Sequence, residues 1–434
     1  MREGGLHVRK SIDGLRSGSF EGDPGVIEDV LFAAALVTPA GEAPRRGAGL
    51  AASVVRDAAL VWRDGLIVYA GPASALPPGL EVEATDELVV HGAVVPGFVD
   101  CHTHLPFFGW RADEFEARLA GRTYRDLQGG GGGILRSARL LADASDEHVL
   151  DFCVPLAEEM LAHGTTALEL KTGYGLSVEG ELRQARLARR LAAEVPQTAV
   201  VTLLSCHAVP EGYERKEWVE TVCTEILPVA ASEGLVDAVD IYVEDIAFDL
   251  NDLARVAEAA TAAGLPLRCH ADQLGDSAAA EAAVREGARS ADHLNHANTA
   301  GVAALCAAEA TGAVLLPVST LFLRADPAPA RDLVDGGAAV SIATDFNPGT
   351  SPTLSLPEAI GVAASLYRMT PGEALTAATL NPAWVLGLDD SVGSLERGKR
   401  ADFVVLDADD VAMIPYRPGH NPVREVWLAG RRVA

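Results

Sequence analysis

From residue 93 onward the chain alternates short runs of β-branched and aromatic residues with alanine-rich segments of helical period, the pattern of repeated βα units. Strand-like runs occupy 97–104, 166–172, 199–207, 239–245, 266–272, 289–294, 313–319 and 339–345. Stretches such as "DEHVLDFCVPLAEEMLAHG", "DLARVAEAATAAG" and "SAAAEAAVREG" separate them, several closed by a glycine just past the last helical turn. Eight such units in about 280 residues predict a (β/α)8 barrel with its working face at the C-terminal ends of the strands. Outside it, "DAALVWRDGLIVYAG" and "DELVVHG" near the start and "RADFVVLDADD" and "REVWLAGRRVA" near the end read as strands of a small β-sandwich built from both termini. The expected division is a flexible extension over 1–25, the sandwich over 26–91 and 386–434, and the barrel over 92–385.

Ligand-type residues fall where these strands end. The first closes on "DCHTH", and alternation along a strand points His102 and His104 to one side, where two imidazoles can grip one metal ion. Taken alone, such a pair reads equally as two hydrogen-bonded core histidines. Further along, the third strand ends with His207, the fourth with Glu244, the fifth with His270, the sixth with His293 and the eighth with Asp345. Histidines that served packing alone would fall at either end of the barrel, so convergence on one mouth favours a metal site.

Composition narrows the partners. Acidic residues outnumber basic ones by 61 to 35, a formal charge of -26 that repels phosphate backbones and anionic membranes and argues against a nucleic-acid partner. Six cysteines are scattered without a CxxC pair, as expected of small buried residues in a reducing cytoplasm. The N-terminal stretch has no apolar signal core, and no apolar run approaches the ~20 residues of a membrane span. The run of five glycines at 129–133 lacks the Lys-Ser/Thr pair of a phosphate loop and reads as a mobile loop over the mouth.

A His-x-His on the first strand, histidines on the fifth and sixth and an aspartate on the eighth, flanked by a split sandwich, resemble the amidohydrolase superfamily. The motifs "PGFVDCHTHL", "RADEFEARLAGRTY", "GGGI", "AHGTTALELKTGYGL", "CHAVP", "HADQL", "SADHL" and "ATDFNPGTSP" are similar to those of its imidazolonepropionase family. The first is shared across the superfamily, whereas "ELKTGYGL" with "ATDFNPGTSP" is specific. This resemblance implies hydrolysis of the cyclic amide of 4-imidazolone-5-propanoate, a step of histidine degradation, by a cytoplasmic homodimer with one zinc or iron ion per subunit. It implies His102, His104, His270 and Asp345 as metal ligands and Arg111, Tyr124, Tyr174 and His207 as substrate-binding residues. Gln273 would contact the ring, and Asn347, Gly349 and Thr350 would lie where the opened product is held.

The chemistry can be argued from residue types. Opening a cyclic amide near neutral pH needs a hydroxide, which a divalent ion supplies by lowering the pKa of water to about 7. Asp345 can take the proton and pass it to the leaving nitrogen, and His293, one strand along from His270, can polarise the carbonyl. Gln273 cannot carry a proton and is expected to orient the ring, although glutamate also occurs at this position in the family. Arg111 offers a fork for the propionate, with Tyr124 adding a phenolic donor; the alternative pairs Arg111 with Asp113 or Glu114 at the surface. Glu244 stands where binuclear relatives carry a bridging group, yet one metal is expected, and Lys171, on the second strand, is a poor bridging carbamate. Trp110 and the segment 317–327 depart from the family pattern and put the pocket wall in question. An aminohydrolase acting on a base, or a non-catalytic barrel, remain as alternatives; the former has no use for Arg111 and Tyr124, and the latter none for an intact ligand set.

Overall fold

The computed structural model describes residues 29–77, 80 and 87–434. The expected extension over 1–25 lies outside the described residues. Two sheets organise the chain. Eight parallel strands follow one another in sequence order: β5 (Phe98–Asp100), β6 (Thr165–Lys171), β7 (Thr198–Cys206), β8 (Ala238–Val243), β9 (Leu267–Ala271), β10 (Ser290–His293), β11 (Gly312–Leu315) and β12 (Ala339–Ile342). All eight lie where strand-like runs were read, although in six of them the regular strand is shorter than the run. Pro317 explains the early end of the seventh: a fixed backbone angle and a missing N–H suit it to the first turn of a helix, and Pro317–Leu323 is helical where that strand was expected to continue.

The barrel closes between its first and last strands. Thr103 bridges Phe346, the Asp345 amide donates to the His102 carbonyl at 3.0 Å, and the His104 amide donates to the Phe346 carbonyl at 2.9 Å. Below this, Thr344 donates its hydroxyl to Asp100 at 2.6 Å and its amide to the same carboxyl at 3.2 Å. The seam that shuts the barrel therefore passes between His102 and His104 on one side and Asp345 on the other, so closure and site assembly are one event.

Helices cover the outside. Ser145 caps Asp146–Ala162 by accepting from the His148 amide, while Asp249 and Asp252 form a reciprocal capping box at the start of Leu250–Ala263. That second helix ends at Gly264 with φ +70°, a left-handed backbone that glycine adopts without a side-chain clash.

The other sheet has seven strands in the order β15 (Arg431–Arg432), β14 (Val423–Leu428), β13 (Phe403–Leu406), β4 (Glu87–Pro96), β1 (Asp29–Thr38), β2 (Ser53–Arg63) and β3 (Leu66–Pro72). Pairing of β4 with both β1 and β13 joins the two termini, and one residue separates β4 from β5, the first barrel strand. Trp62, Phe403 and Trp427 fill its core, with Phe403 stacked on Trp427 at 5.2 Å and Trp62 meeting both rings edge-on or tilted. Among the described residues no helix is long and apolar enough to cross a membrane.

Candidate metal centre and active site

His102, His104 and His270 bring ring nitrogens within 4.8 Å of one another at the mouth, and His102, His293 and Asp345 form a second such group. The Asp345 carboxylate lies 3.2 Å from His104 Nε2 and 3.6 Å from His102 Nε2. His102 Nε2, His104 Nδ1 and His270 Nε2 are buried with no hydrogen-bond partner. Buried polar atoms are nearly always satisfied, so several orphaned nitrogens converging on one carboxylate fit a metal ion. Burial, helped by the Lys171 charge and neighbouring rings, holds His102 well below the usual histidine range; burial does the same for His104 and His207 and takes His293 to about 3. Neutral imidazoles are the form that binds metal. Burial raises the Asp345 carboxyl, against the pull of His293.

Two of these residues sit on strained backbone. His293 has φ +77° and Asp345 φ +55°, conformations that cost a side-chain-bearing residue about 1–3 kcal/mol and collect at functional sites. Asn347 holds the turn after Asp345. Its amide group donates to the Asp345 carbonyl at 2.6 Å and to Thr350 Oγ1 at 2.8 Å, and its side-chain oxygen accepts from the Gly349 and Thr350 amides.

Beneath the histidines lies a charged layer that sequence reading missed. Asp240 Oδ2 is 3.0 Å from His270 Nδ1 and accepts from Lys171 Nζ at 2.7 Å. Lys171 also pairs with Glu169 at 2.8 Å, and Glu169 in turn bonds Arg268 and the Thr202 hydroxyl. Every member is buried. Burial alone would push the Asp240 carboxyl up, but His270 and Lys171 beside it hold it well below the usual carboxylate range. On the other side Asp292 Oδ2 lies 2.6 Å from His102 Nδ1. Each carboxylate fixes the ring of one histidine and leaves its other nitrogen directed at the centre. One signal was available: Glu169 and Lys171 are two residues apart on one strand, so both face inward.

The pocket above the histidines is lined by His104, Arg111, Tyr174, His207, His270, Gln273, His293, Asp345, Asn347 and Thr350 among the expected residues, and by Ile134 and Tyr242, which were not foreseen. Its free space is about 20 Å³, room for an ion or a water. His102 lies below this wall. Gly349 stands behind Arg111, where an added Cβ would meet the guanidinium at 1.5 Å. The Tyr124 side chain lies outside the described residues. His207 stacks on His104 at 5.2 Å, and its Nδ1 is 3.1 Å from the Gly173 carbonyl. The Tyr174 turn is tied down by the helix Val178–Glu194, through Gln184 to the Tyr174 amide and through Glu181 to the next two amides.

Arg111 is 3% exposed, and its Nε and Nη1 have no hydrogen-bond partner. Glu114 forms a long, largely buried ion pair with it at 3.8 Å, too far for a hydrogen bond, while Asp113 is engaged by Arg136, so the pairing with Asp113 is not formed. Trp110, 42% exposed, packs with Phe107 and Phe152 and is not part of the pocket lining. Glu244 belongs to neither metal-type group; its carboxylate accepts from the Leu274 amide at 2.7 Å, next to Gln273, and burial pushes it up to about 7.

The amidohydrolase family model matches residues 93–433. The chain belongs to the amidohydrolase family. It is 44% identical over 401 residues to an imidazolonepropionase of Methylobacterium sp. (strain 4-46), covering 92% of this chain and 98% of that protein. With an imidazolonepropionase of Methylobacterium nodulans it shares 42% identity, covering 89% and 96%. An adenosine deaminase from Xanthomonas campestris, solved with bound zinc, superposes with a TM-score of 0.68 at 20% identity, covering 94% and 93%, a likeness of fold.

Two expectations follow. Asp240→Asn should weaken metal binding by about 10–100-fold with the fold retained, as loss of a carboxylate behind a ligating histidine does elsewhere; competition against a chromophoric chelator measures it, and unchanged affinity would contradict the role. The Glu244 carboxyl lies above its unfolded value, so its contribution to stability is complete below the ordinary glutamate range and lost as pH rises toward about 7. Compared with Glu244→Gln, the wild type should therefore lose melting temperature from pH 5 to 7 and keep a constant difference above that, and a difference independent of pH would refute it.

Proposed function

We propose that the chain hydrolyses the cyclic amide of 4-imidazolone-5-propanoate to N-formimidoyl-L-glutamate. The single observation that carries this reading is Arg111, a buried guanidinium with two unpartnered nitrogens beside a histidine and aspartate cluster of metal-ligand type. Glu114 faces this cation at 3.8 Å without hydrogen-bonding it, and a substrate carboxylate satisfies the two open nitrogens bidentately. A neutral base offers no such group. The imidazolonepropionase relatives at over 40% identity along most of the chain support the same substrate.

In this reading His102, His104, His270 and Asp345 hold one zinc or iron ion, a donor set that suits either. When bound, the ion supplies a nucleophile at neutral pH by lowering the pKa of water to about 7. Asp345 accepts the proton and returns it to the ring nitrogen as the amide bond breaks. His293, neutral and donating from its ring N–H, stabilises charge on the carbonyl oxygen. Gln273 orients the ring, its backbone neighbourhood braced by Glu244. Tyr124, Tyr174 and His207 contact the substrate with Arg111, and Asn347, Gly349 and Thr350 border the opened product. Because the free space is small, the substrate enters by displacement of a wall; Ile134, directly after the glycine run, belongs to the wall we assign to that movement. The same proposal assigns this chemistry to residues 92–385, with 26–91 and 386–434 as a supporting unit, and extends by family resemblance to a homodimer in the cytoplasm.

Asp345→Asn, checked for retained metal, should lower kcat by about 10²–10⁴-fold, the range for a lost general base. Arg111→Ala should raise KM for the propionate substrate about 10–100-fold, the worth of a charge-assisted hydrogen bond, with a smaller change in kcat. Formation of N-formimidoyl-L-glutamate by the metal-replete wild type is the direct assay. Absence of turnover, or an unchanged KM in the arginine variant, would overturn the assignment.

A further inference from the structure

We propose that a second site for small carboxylates lies just outside the mouth, in a cavity bordered by Phe115, Arg118, Arg122, Phe322 and Arg324, and that it gathers anionic substrate before transfer to Arg111. The inference rests on the substrate class given under Proposed function. The cavity measures about 340 Å³, within the range of small-molecule sites, and no carboxylate is among its lining residues. Three guanidiniums around one hollow are unexpected on a chain of net charge -26. Among the described residues the side chains of Arg122 and Arg324 form no hydrogen bond or ion pair, only their backbone amides donating, to the Ala117 and Leu321 carbonyls. Asp126, which feels the Arg122 charge, is occupied by the Thr123 cap.

The hollow has a built floor. Phe115 and Phe322 stack at 4.4 Å with 16° between their planes, and the Arg118 guanidinium lies 4.9 Å from the Phe322 ring centre. Such a surface suits a planar ring, and the surrounding forks suit its carboxylate. Arg324 ends the helix Pro317–Leu323 with φ +55°, a left-handed backbone that costs an arginine about 1–3 kcal/mol where glycine or asparagine would fit.

The cavity is tied to the pocket through Gly349. Arg118 belongs to the helix Ala112–Leu119, which Arg111 caps, and its Nη2 donates to the Gly349 carbonyl at 3.0 Å. On the same glycine the Arg111 guanidinium occupies the place of a side chain. An anion held by the outer arginines therefore sits across one loop from the inner one. The local positive field opposes the repulsion that the rest of the chain exerts on an anionic substrate.

The test is the double variant Arg122→Gln/Arg324→Asn, which leaves Arg118 and its hold on Gly349 intact. With 4-imidazolone-5-propanoate, kcat should stay the same while kcat/KM falls about five-fold at low salt and under about two-fold at high salt, where screening removes the attraction. Calorimetric titration of the holoenzyme with 3-(imidazol-4-yl)propanoate should give two sites in the wild type, the weaker one missing in the variant. One site in both proteins would overturn the proposal, as would a change in molecular mass of the variant, which would make the cavity a contact between copies. If the wild type fails to turn over the imidazolone, the substrate assignment falls, and the titration still decides whether the outer site exists.

Discussion

A carboxylate that cannot reach water must find its cation inside the protein, and the barrel is arranged around that requirement. Asp240 stands between Lys171 and His270, Lys171 between Asp240 and Glu169, and Glu169 between Lys171 and Arg268. These residues come from β6, β8 and β9, so the polar layer ties three strands together across the interior. Its charges balance in pairs, two acids against two bases. Removing one partner of such a pair leaves a buried charge and costs about 3–5 kcal/mol, so the layer adds to stability as well as supporting His270.

Above that layer the same logic is left open. Nε2 of His102 and His270 and the Nε and Nη1 of Arg111 have no hydrogen-bond partner within the protein. Below, each carboxylate faces a cation or an imidazole of another side chain; at the mouth, the demands are for a cation between the rings and a closer anion beside Arg111. The separation is a matter of height along the strands, set by the barrel seam, where backbone bonds from His102 and His104 to Asp345 and Phe346 fix the ligand-bearing loops against each other.

How much of this was legible in the sequence depends on the kind of signal. Strand ends announced themselves because a histidine or aspartate after an apolar run has no packing role, and His102, His104, His270, His293 and Asp345 do come together. The eight strands were legible for the same reason, from periodicity. Glu169, Lys171, Asp240 and Arg268 were not, because charged residues inside otherwise apolar strands have no visible cross-strand partner until the barrel brings β6, β8 and β9 to one level. Arg111 was ambiguous in sequence, since Asp113 and Glu114 stand close by; the structure buries it, gives Asp113 to Arg136 and leaves Glu114 as a partner at 3.8 Å. Trp110, a departure that drew suspicion to the pocket wall, is held among Phe107, Phe152 and Phe346 and is absent from the pocket lining.

Glu114 joins the anion site to the glycine run. One of its oxygens lies 3.8 Å from Arg111, while the carboxylate accepts from the Gly133 amide at 3.1 Å and faces Arg136 at 3.5 Å. Gly133 opens the helix that carries Ile134 into the pocket wall. A carboxylate arriving at Arg111 competes with Glu114 for the same guanidinium, and Glu114 is the group that anchors the start of that helix. Occupation of the anion site and the position of the wall are therefore linked through one side chain, and a pocket with room for little more than a water is the state expected while Arg111 has only Glu114 to face.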